Sequence, residues 1–254
     1  MQYNHNPHVD AEKSSAPTCF SPELSLVIPT YNERGNISLL ISKLTTALEG
    51  LEWEAIFVDD HSLDGTAAHI LEIARMNRRV RVLERVGRHG LSSACIEGAL
   101  HPSGPYVAVM DADLQHDESI LPRMLELLKS NGLDIVIGSR RVPGGSMGNL
   151  SHARVVLSNI GSRISRAACR CHVSDPMSGF FIFRRPFFEE VLPRLSGRGF
   201  KLLVDMLASS TRAVRVGEVA YQFRSRQWGR SKLNLLVDID HLRLLAGKLI
   251  QAKW

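Results

Sequence analysis

Between Leu24 and Gly138 the chain alternates short, nearly continuous apolar runs with longer segments of helical periodicity, and few folds accommodate that alternation. Strands that are apolar on both faces belong to a mostly parallel sheet covered by helices on both sides. The pattern predicts strands over Leu24–Pro29, Glu54–Val58, Val80–Glu84, Tyr106–Met110 and Asp134–Gly138. Between them it predicts helices over Asn36–Leu48, Thr66–Met76, Leu91–Leu100 and Ile120–Leu128. The first of these puts Ile37, Leu40, Ile41, Leu44 and Leu48 on one face. The fold class is therefore α/β.

Beyond Gly138 the alternation weakens. Arg141–Gly148 reads as a glycine-rich loop, Val155–Ala168 as a helix and Phe180–Phe183 as a strand. Phe200–Ser209 reads as a helix and Val214–Phe223 as a strand with a polar interruption. Leu235, Ile239, Leu242, Ala246 and Leu249 recur at helical spacing near the C-terminus. That helix either packs on the domain or lies on a membrane surface. The expected organisation is a flexible tail over residues 1–22, one domain over 23–232 and the amphipathic helix over 233–254.

Composition narrows the function classes. No apolar run approaches the ~18–20 residues of a spanning helix, and the polar first 22 residues lack the basic start and apolar centre of a signal peptide. Cys19, Cys95, Cys169 and Cys171 form neither a disulfide framework nor a zinc spacing, which suits reduced thiols of a cytoplasmic protein. The net charge of +5 favours an anionic partner such as a phosphate, nucleotide or membrane surface, although dispersed solvated charge gives the same sum. No nucleic-acid partner is expected.

Open α/β sheets bind ligands at the carboxyl ends of their strands. Four predicted ends, taken as adjacent, carry polar groups: Pro29-Thr30-Tyr31-Asn32-Glu33, Val58-Asp59-Asp60, Met110-Asp111-Ala112-Asp113-Leu114-Gln115-His116 and Gly138-Ser139-Arg140-Arg141. Asp111 and Asp113, two apart in extended chain, point the same way and suit one hard cation, Mg²⁺ or Mn²⁺, with Gln115 as a neutral oxygen. An Asp pair capping a turn has the same spacing. Asp59-Asp60 and Asp64-Gly65-Thr66 form a second acidic cluster, divided between ligand contact and helix capping. Arg140, Arg154, Arg226 and Lys232 are the candidate phosphate clamps, with Arg224–Arg230 as a basic lid.

These segments, with Ile135–Arg140, Asp175-Pro176-Met177-Ser178-Gly179-Phe180 and Ser231-Lys232-Leu233, resemble family 2 glycosyltransferases of the GT-A fold. Within that family they are similar to dolichol-phosphate and polyprenol-phosphate mannosyltransferases, over about Ser25 to Lys232. The resemblance implies inverting transfer of mannose from GDP-mannose to a dolichyl or polyprenyl monophosphate, on the cytoplasmic face of a membrane. It implies that Pro29, Tyr31, Glu33, Val58 and Asp60 hold the nucleotide. Asp111, Ala112, Asp113 and Gln115 would sit at the diphosphate and metal. Arg140 and Arg154 would contact donor or acceptor phosphate, with Arg226 and Lys232 on the closing loop. Asp113, Arg140 and Arg154 are the expected catalytic groups. Transfer from UDP-glucose to the same lipid and a catalytically silent nucleotide-sugar-binding module are the alternatives. Three departures from the family pattern stand out. His61 and Leu63 replace an acidic or amide residue and a frequent proline. Gly90-Leu91-Ser92 has serine where a second glycine is usual. Val155–Gly161, after Arg154, has no second basic residue.

Overall fold

The computed structural model describes residues 20–87, 89–148, 171–197, 199 and 201–226. Nearly all of the tail, the helices expected over Val155–Ala168 and 233–254, and the site candidates Arg154 and Lys232 lie outside the described residues.

The strands are β1 (Leu24–Thr30), β2 (Trp53–Asp59), β3 (Val80–Glu84), β4 (Tyr106–Val109), β5 (Ile135–Ser139), β6 (Phe181–Arg184) and β7 (Val216–Ala220). They form one sheet of order β3-β2-β1-β4-β6-β5-β7, parallel except at β6. The helices are α1 (Arg34–Ala47), α2 (Thr66–Met76), α3 (Leu91–Ala99), α4 (Leu121–Ser130), α5 (Arg185–Val191) and α6 (Leu202–Ser209).

Inside each apolar run the side chains still alternate between two cores. Leu24, Leu26 and Ile28 of β1 join α1, α2 and α4 on one face, while Val27 joins α3, α5 and α6 on the other. β4 divides likewise, Ala108 to the first core and Val107 and Val109 to the second. Both faces being buried, the sheet tolerates no slip of register. Gly98 lets α3 lie close on the sheet, since a β-carbon there would press into Val27 and Val58.

Two sequence expectations require correction. The four ligand-bearing strand ends are not all adjacent, because β6 lies between β4 and β5 and pairs antiparallel with both. The chain leaves β5 at the carboxyl rim and re-enters the sheet from that same rim, which only an antiparallel strand can do. The helix α5 was not anticipated: seven residues opening Arg185-Pro186 are too few to show helical periodicity, although proline early in a helix is favourable.

At the opposite end of β5, Asp134 is only 3% exposed and ties β5 to the start of β7. Arg212 Nη1 donates to its Oδ2 at 2.7 Å and Arg215 Nη2 to its Oδ1 at 3.0 Å. Burial opposes ionisation most strongly, yet the hydrogen bonds from Arg212 and Arg215 outweigh it and hold the carboxyl well below the usual range. A depressed carboxyl stabilises the fold above its unfolded value of about 3.9 and loses that contribution as pH falls toward its folded value. Urea midpoints are therefore expected to drop below about pH 4, and Asp134→Asn to flatten that acid limb. An unchanged limb would remove Asp134 from this account.

Candidate active site

The carboxyl rim holds a continuous set of charged groups. Among the described residues the non-glycine positions with left-handed backbone are Asn32 (φ 52°), His61 (φ 60°) and Leu114 (φ 63°), one after each of β1, β2 and β4. Such strain persists only where the surroundings over-determine it, and it concentrates at ligand sites. The turn after β1 is held to the turn after β2 by Asn32 N–H donating to Ser62 Oγ at 2.8 Å and Leu63 N–H donating to Asn32 Oδ1 at 3.0 Å.

The acidic cluster after β2 separates into distinct tasks. Asp59 accepts from Ser62 N–H at 2.8 Å and from Thr30 Oγ1 at 3.1 Å, and is wholly buried. Asp64 accepts from Thr66 N–H at 3.0 Å and Arg34 N–H at 3.2 Å, so it closes the start of α2. Asp60 accepts from Arg85 Nη1 at 2.5 Å and from Gly90 N–H at 2.8 Å, which ties β2 to the start of α3.

Asp111 and Asp113 leave β4 in one turn. Asp113 is 7% exposed, and Arg226 Nη2 donates to its Oδ2 at 2.5 Å. Arg226 Nη1 lies 3.6 Å from Glu33 Oε1, so this arginine bridges the turns after β1 and β4. Burial, reinforced by the Asp111 charge, pushes the Asp113 carboxyl up. Burial also pushes Asp111 up, while the charges of Lys201, Arg226 and Arg140 draw it back. Two carboxylates two residues apart, both pushed up by burial, are a donor set suited to a divalent cation. Gln115 shares the turn: its N–H donates to Asp113 Oδ1 at 3.1 Å and its Nε2 to the Arg224 carbonyl at 3.0 Å. Its amide oxygen is thereby left for another partner. No group of three or more His, Cys, Asp or Glu among the described residues has the arrangement of a complete metal cage.

Arg140, just past β5, is clamped by Asp175. Nε donates to Oδ2 at 2.7 Å and Nη2 to Oδ1 at 2.9 Å, with Asp175 fully buried and the arginine side chain 12% exposed. Burial opposes the Asp175 charge, but Arg140 overcomes it and holds the carboxyl below its usual range. The remaining Nη1 of Arg140 makes no hydrogen bond among the described residues. Pro29, Val58 and Ala112 are buried and offer the rim main-chain groups only, whereas Tyr31 is 42% exposed.

The sequence model of glycosyl transferase family 2 matches residues 25–192. A dolichol-phosphate mannosyltransferase of Pyrococcus furiosus is 40% identical over 223 residues, covering 87% of this chain and 62% of the relative. That of Saccharomyces cerevisiae is 34% identical, covering 89% of this chain and 86% of the relative. The chain belongs to the family 2 glycosyltransferases. It spans less than two thirds of the archaeal relative's length. Among solved structures, glucosyl-3-phosphoglycerate synthase of Mycobacterium tuberculosis, in complex with Mn²⁺, UDP-glucose and phosphoglyceric acid, superposes with a TM-score of 0.66 at 19% identity. The superposition covers 89% of this chain and 79% of that one, and it shows the shared fold.

Of the expected set, Tyr31, Glu33, Asp111, Asp113, Gln115, Arg140 and Arg226 come together at the carboxyl rim, the candidate site. Asp60 faces inward, toward Arg85 and Gly90. Three further residues join them. His116 is 3% exposed, stacks on Phe180 at 5.1 Å, and accepts from Asp111 N–H at Nδ1 (3.1 Å). The ring proton therefore sits on Nε2, 3.8 Å from Asp111 Oδ2. Burial pushes the imidazole down to about 4, so it is neutral at physiological pH. Asp175 and Lys201 complete the set, the lysine donating to the Met177 carbonyl at 3.3 Å. Asp175 stands in the Asp175–Phe180 motif, but its pairing with Arg140 spans 35 residues and has no local signature, and Lys201 is a single cation before an apolar helix.

Proposed function

We propose that this glycosyltransferase moves mannose from GDP-mannose to the phosphate of a dolichyl or polyprenyl lipid at a membrane surface, with inversion at the sugar. The observation that carries the reading is the paired carboxylates Asp111 and Asp113 facing Arg226, Arg140 and Lys201. That arrangement suits a cation-bridged diphosphate beside a second anion. The names of the yeast and archaeal relatives supply the substrate class. A Mg²⁺ or Mn²⁺ ion held by Asp111, Asp113 and Gln115 would supply charge neutralisation for the departing diphosphate.

The reaction needs no protein base. A lipid monophosphate is already ionised at neutral pH, so its oxygen attacks the anomeric carbon as the bond from that carbon to the GDP β-phosphate oxygen breaks. Both electrons of the broken bond leave with GDP. The residues' task is alignment and charge stabilisation. Arg140, braced by Asp175, offers its remaining donors to phosphate, and Arg154 and Lys232 are proposed to add theirs. Arg226 exchanges its contact with Asp113 for the donor diphosphate. Pro29, Val58 and Ala112 contact the nucleotide through their main chain, Tyr31 through its exposed ring, and Glu33 and Asp60 through the turns they hold. The neutral His116 keeps the Asp111 turn in place and takes no proton.

The test is transfer of radiolabelled mannose from GDP-mannose to a short polyprenyl phosphate, with Mg²⁺, with Mn²⁺ and with chelator. Chelator-sensitive lipid-linked mannose is expected. Product from UDP-glucose alone would move the sugar assignment. Absence of product from both donors, with no metal-dependent thermal shift on adding nucleotide-sugar, would identify a silent binding module.

A further inference from the structure

Beside Asp111, on the side of the sheet covered by α3 and α6, lies a small pocket with room for about 20 Å³ of water-sized contents. That is the space of one water or one hydroxyl group, for which about 10–15 Å³ suffices. Leu91, Cys95, Val109, Phe181 and Leu202 are its apolar lining and Ser92, Asp111 and Ser178 its polar lining, the Ser178 hydroxyl being already committed to the Gly138 carbonyl at 2.7 Å. Gly179 closes it without a side chain; a β-carbon there would stand 3.4 Å from Asp111 Oδ2.

Ser92 is the unexplained group. It is 1% exposed, and its Oγ has no hydrogen-bond partner. The next residue shows what a serine in this turn ordinarily does. Ser93 Oγ donates to the Gly90 carbonyl at 2.9 Å and accepts from Arg85 Nη2 at 2.8 Å. The turn holding Ser92 is also rigid, since Asp60 and Arg85 pin Gly90 and Ser92 N–H donates to the Gly199 carbonyl at 3.2 Å. A buried hydroxyl without a partner is uncommon in a folded protein and calls for an explanation.

In the same lining, Asp111 presents a partly exposed carboxylate that lies 3.8 Å from Nε2 of the neutral His116 ring. A serine and a carboxylate flanking a single-oxygen space are complementary to a neutral hydroxyl, which donates to the carboxylate and accepts from the serine. A phosphate oxygen would be repelled by Asp111, and a cation would gain little from the serine.

We propose that Ser92 is a donor-sugar contact, holding with Asp111 one hydroxyl of the transferred hexose and so selecting the sugar by that hydroxyl's position. The inference rests on the reading of this site as a sugar-transfer site. A site built to bond a hydroxyl rejects the analogue lacking it, because its own polar groups are then left unpaired.

The experiment compares the full chain and Ser92→Ala on GDP-mannose and its 2-, 3-, 4- and 6-deoxy analogues, with polyprenyl phosphate as acceptor. The parent is expected to disfavour one deoxy donor, and Ser92→Ala to lose about 3- to 10-fold of that discrimination in kcat/KM, the range of one net hydrogen bond. Discrimination at the other positions and affinity for GDP should be unchanged. Undiminished discrimination at every position, or an equal change at all of them, would overturn the proposal. If the parent forms no lipid-linked mannose, the transfer reading fails instead. Calorimetric binding of the same deoxy series to the parent and to Ser92→Gly then decides the Ser92 contact separately.

Discussion

Asp113→Asn is expected to lower transfer turnover by about 10²–10³-fold, the loss typical of removing one preorganised charge from a transition state that needs it. The substitution keeps the shape of the side chain and its place in the turn, and the Gln115 N–H can still donate to the retained oxygen. The fold should therefore survive. In the free protein the change also removes a carboxylate that burial and the neighbouring Asp111 charge disfavour. The thermal midpoint without ligand is thus expected to stay at or above that of the parent, a stability gain at the expense of function. The rise in midpoint on adding GDP-mannose with Mn²⁺ should disappear. Near-normal turnover at saturating metal would show that Asp113 has no part in holding the cation.

The second large effect concerns Arg140 and Asp175. Asp175→Ala leaves a nearly buried guanidinium without its counter-charge, and breaking such a pair from one side costs about 3–5 kcal/mol. Chemical denaturation at neutral pH should report a loss of that size. Arg140→Met together with Asp175→Leu should recover most of the stability, because a buried pair replaced on both sides by apolar groups is often neutral or better. Lipid-phosphate transfer should not return with it. A double variant that regained transfer would make Arg140 a packing residue, and one no more stable than Asp175→Ala would mean the pair organises more of the fold than itself.

The framework was readable because each central strand is short, apolar and followed by helical spacing. The runs ending at Pro29, Val58, Met110 and Gly138 locate β1, β2, β4 and β5 to within a residue at that end. Direction was harder to read. Phe181–Arg184 is as apolar and short as its parallel neighbours, and nothing in its composition says that it runs against them. Within the site, Asp111 and Asp113 could be paired from spacing alone because the physics is local to one extended segment. The Arg140–Asp175 clamp joins positions 35 residues apart, and no local pattern links them. His116 reads in sequence as one more polar residue of the turn. Its contact with Phe180 and its bond from Asp111 N–H arise only from tertiary packing.

The antiparallel strand β6 acts as a vernier for the site. Val109 of β4 pairs with Phe181, and Phe181 pairs with Ile137 of β5, so three strands share one rung. Two residues beyond that rung, toward the rim, stand Asp111, Gly179 and Ser139, with Arg140 next. Moving β6 by one pleat repeat of two residues would carry Gly179 and Asp175 about 7 Å away from the carboxylates. The connection from Arg140 to Phe180 begins and ends on one rim, so its length is uncoupled from that alignment. Residues can be gained or lost along it while Asp111, Gly179 and Ser139 keep their common level at the rim, so the chain can vary in length there without disturbing the paired carboxylates.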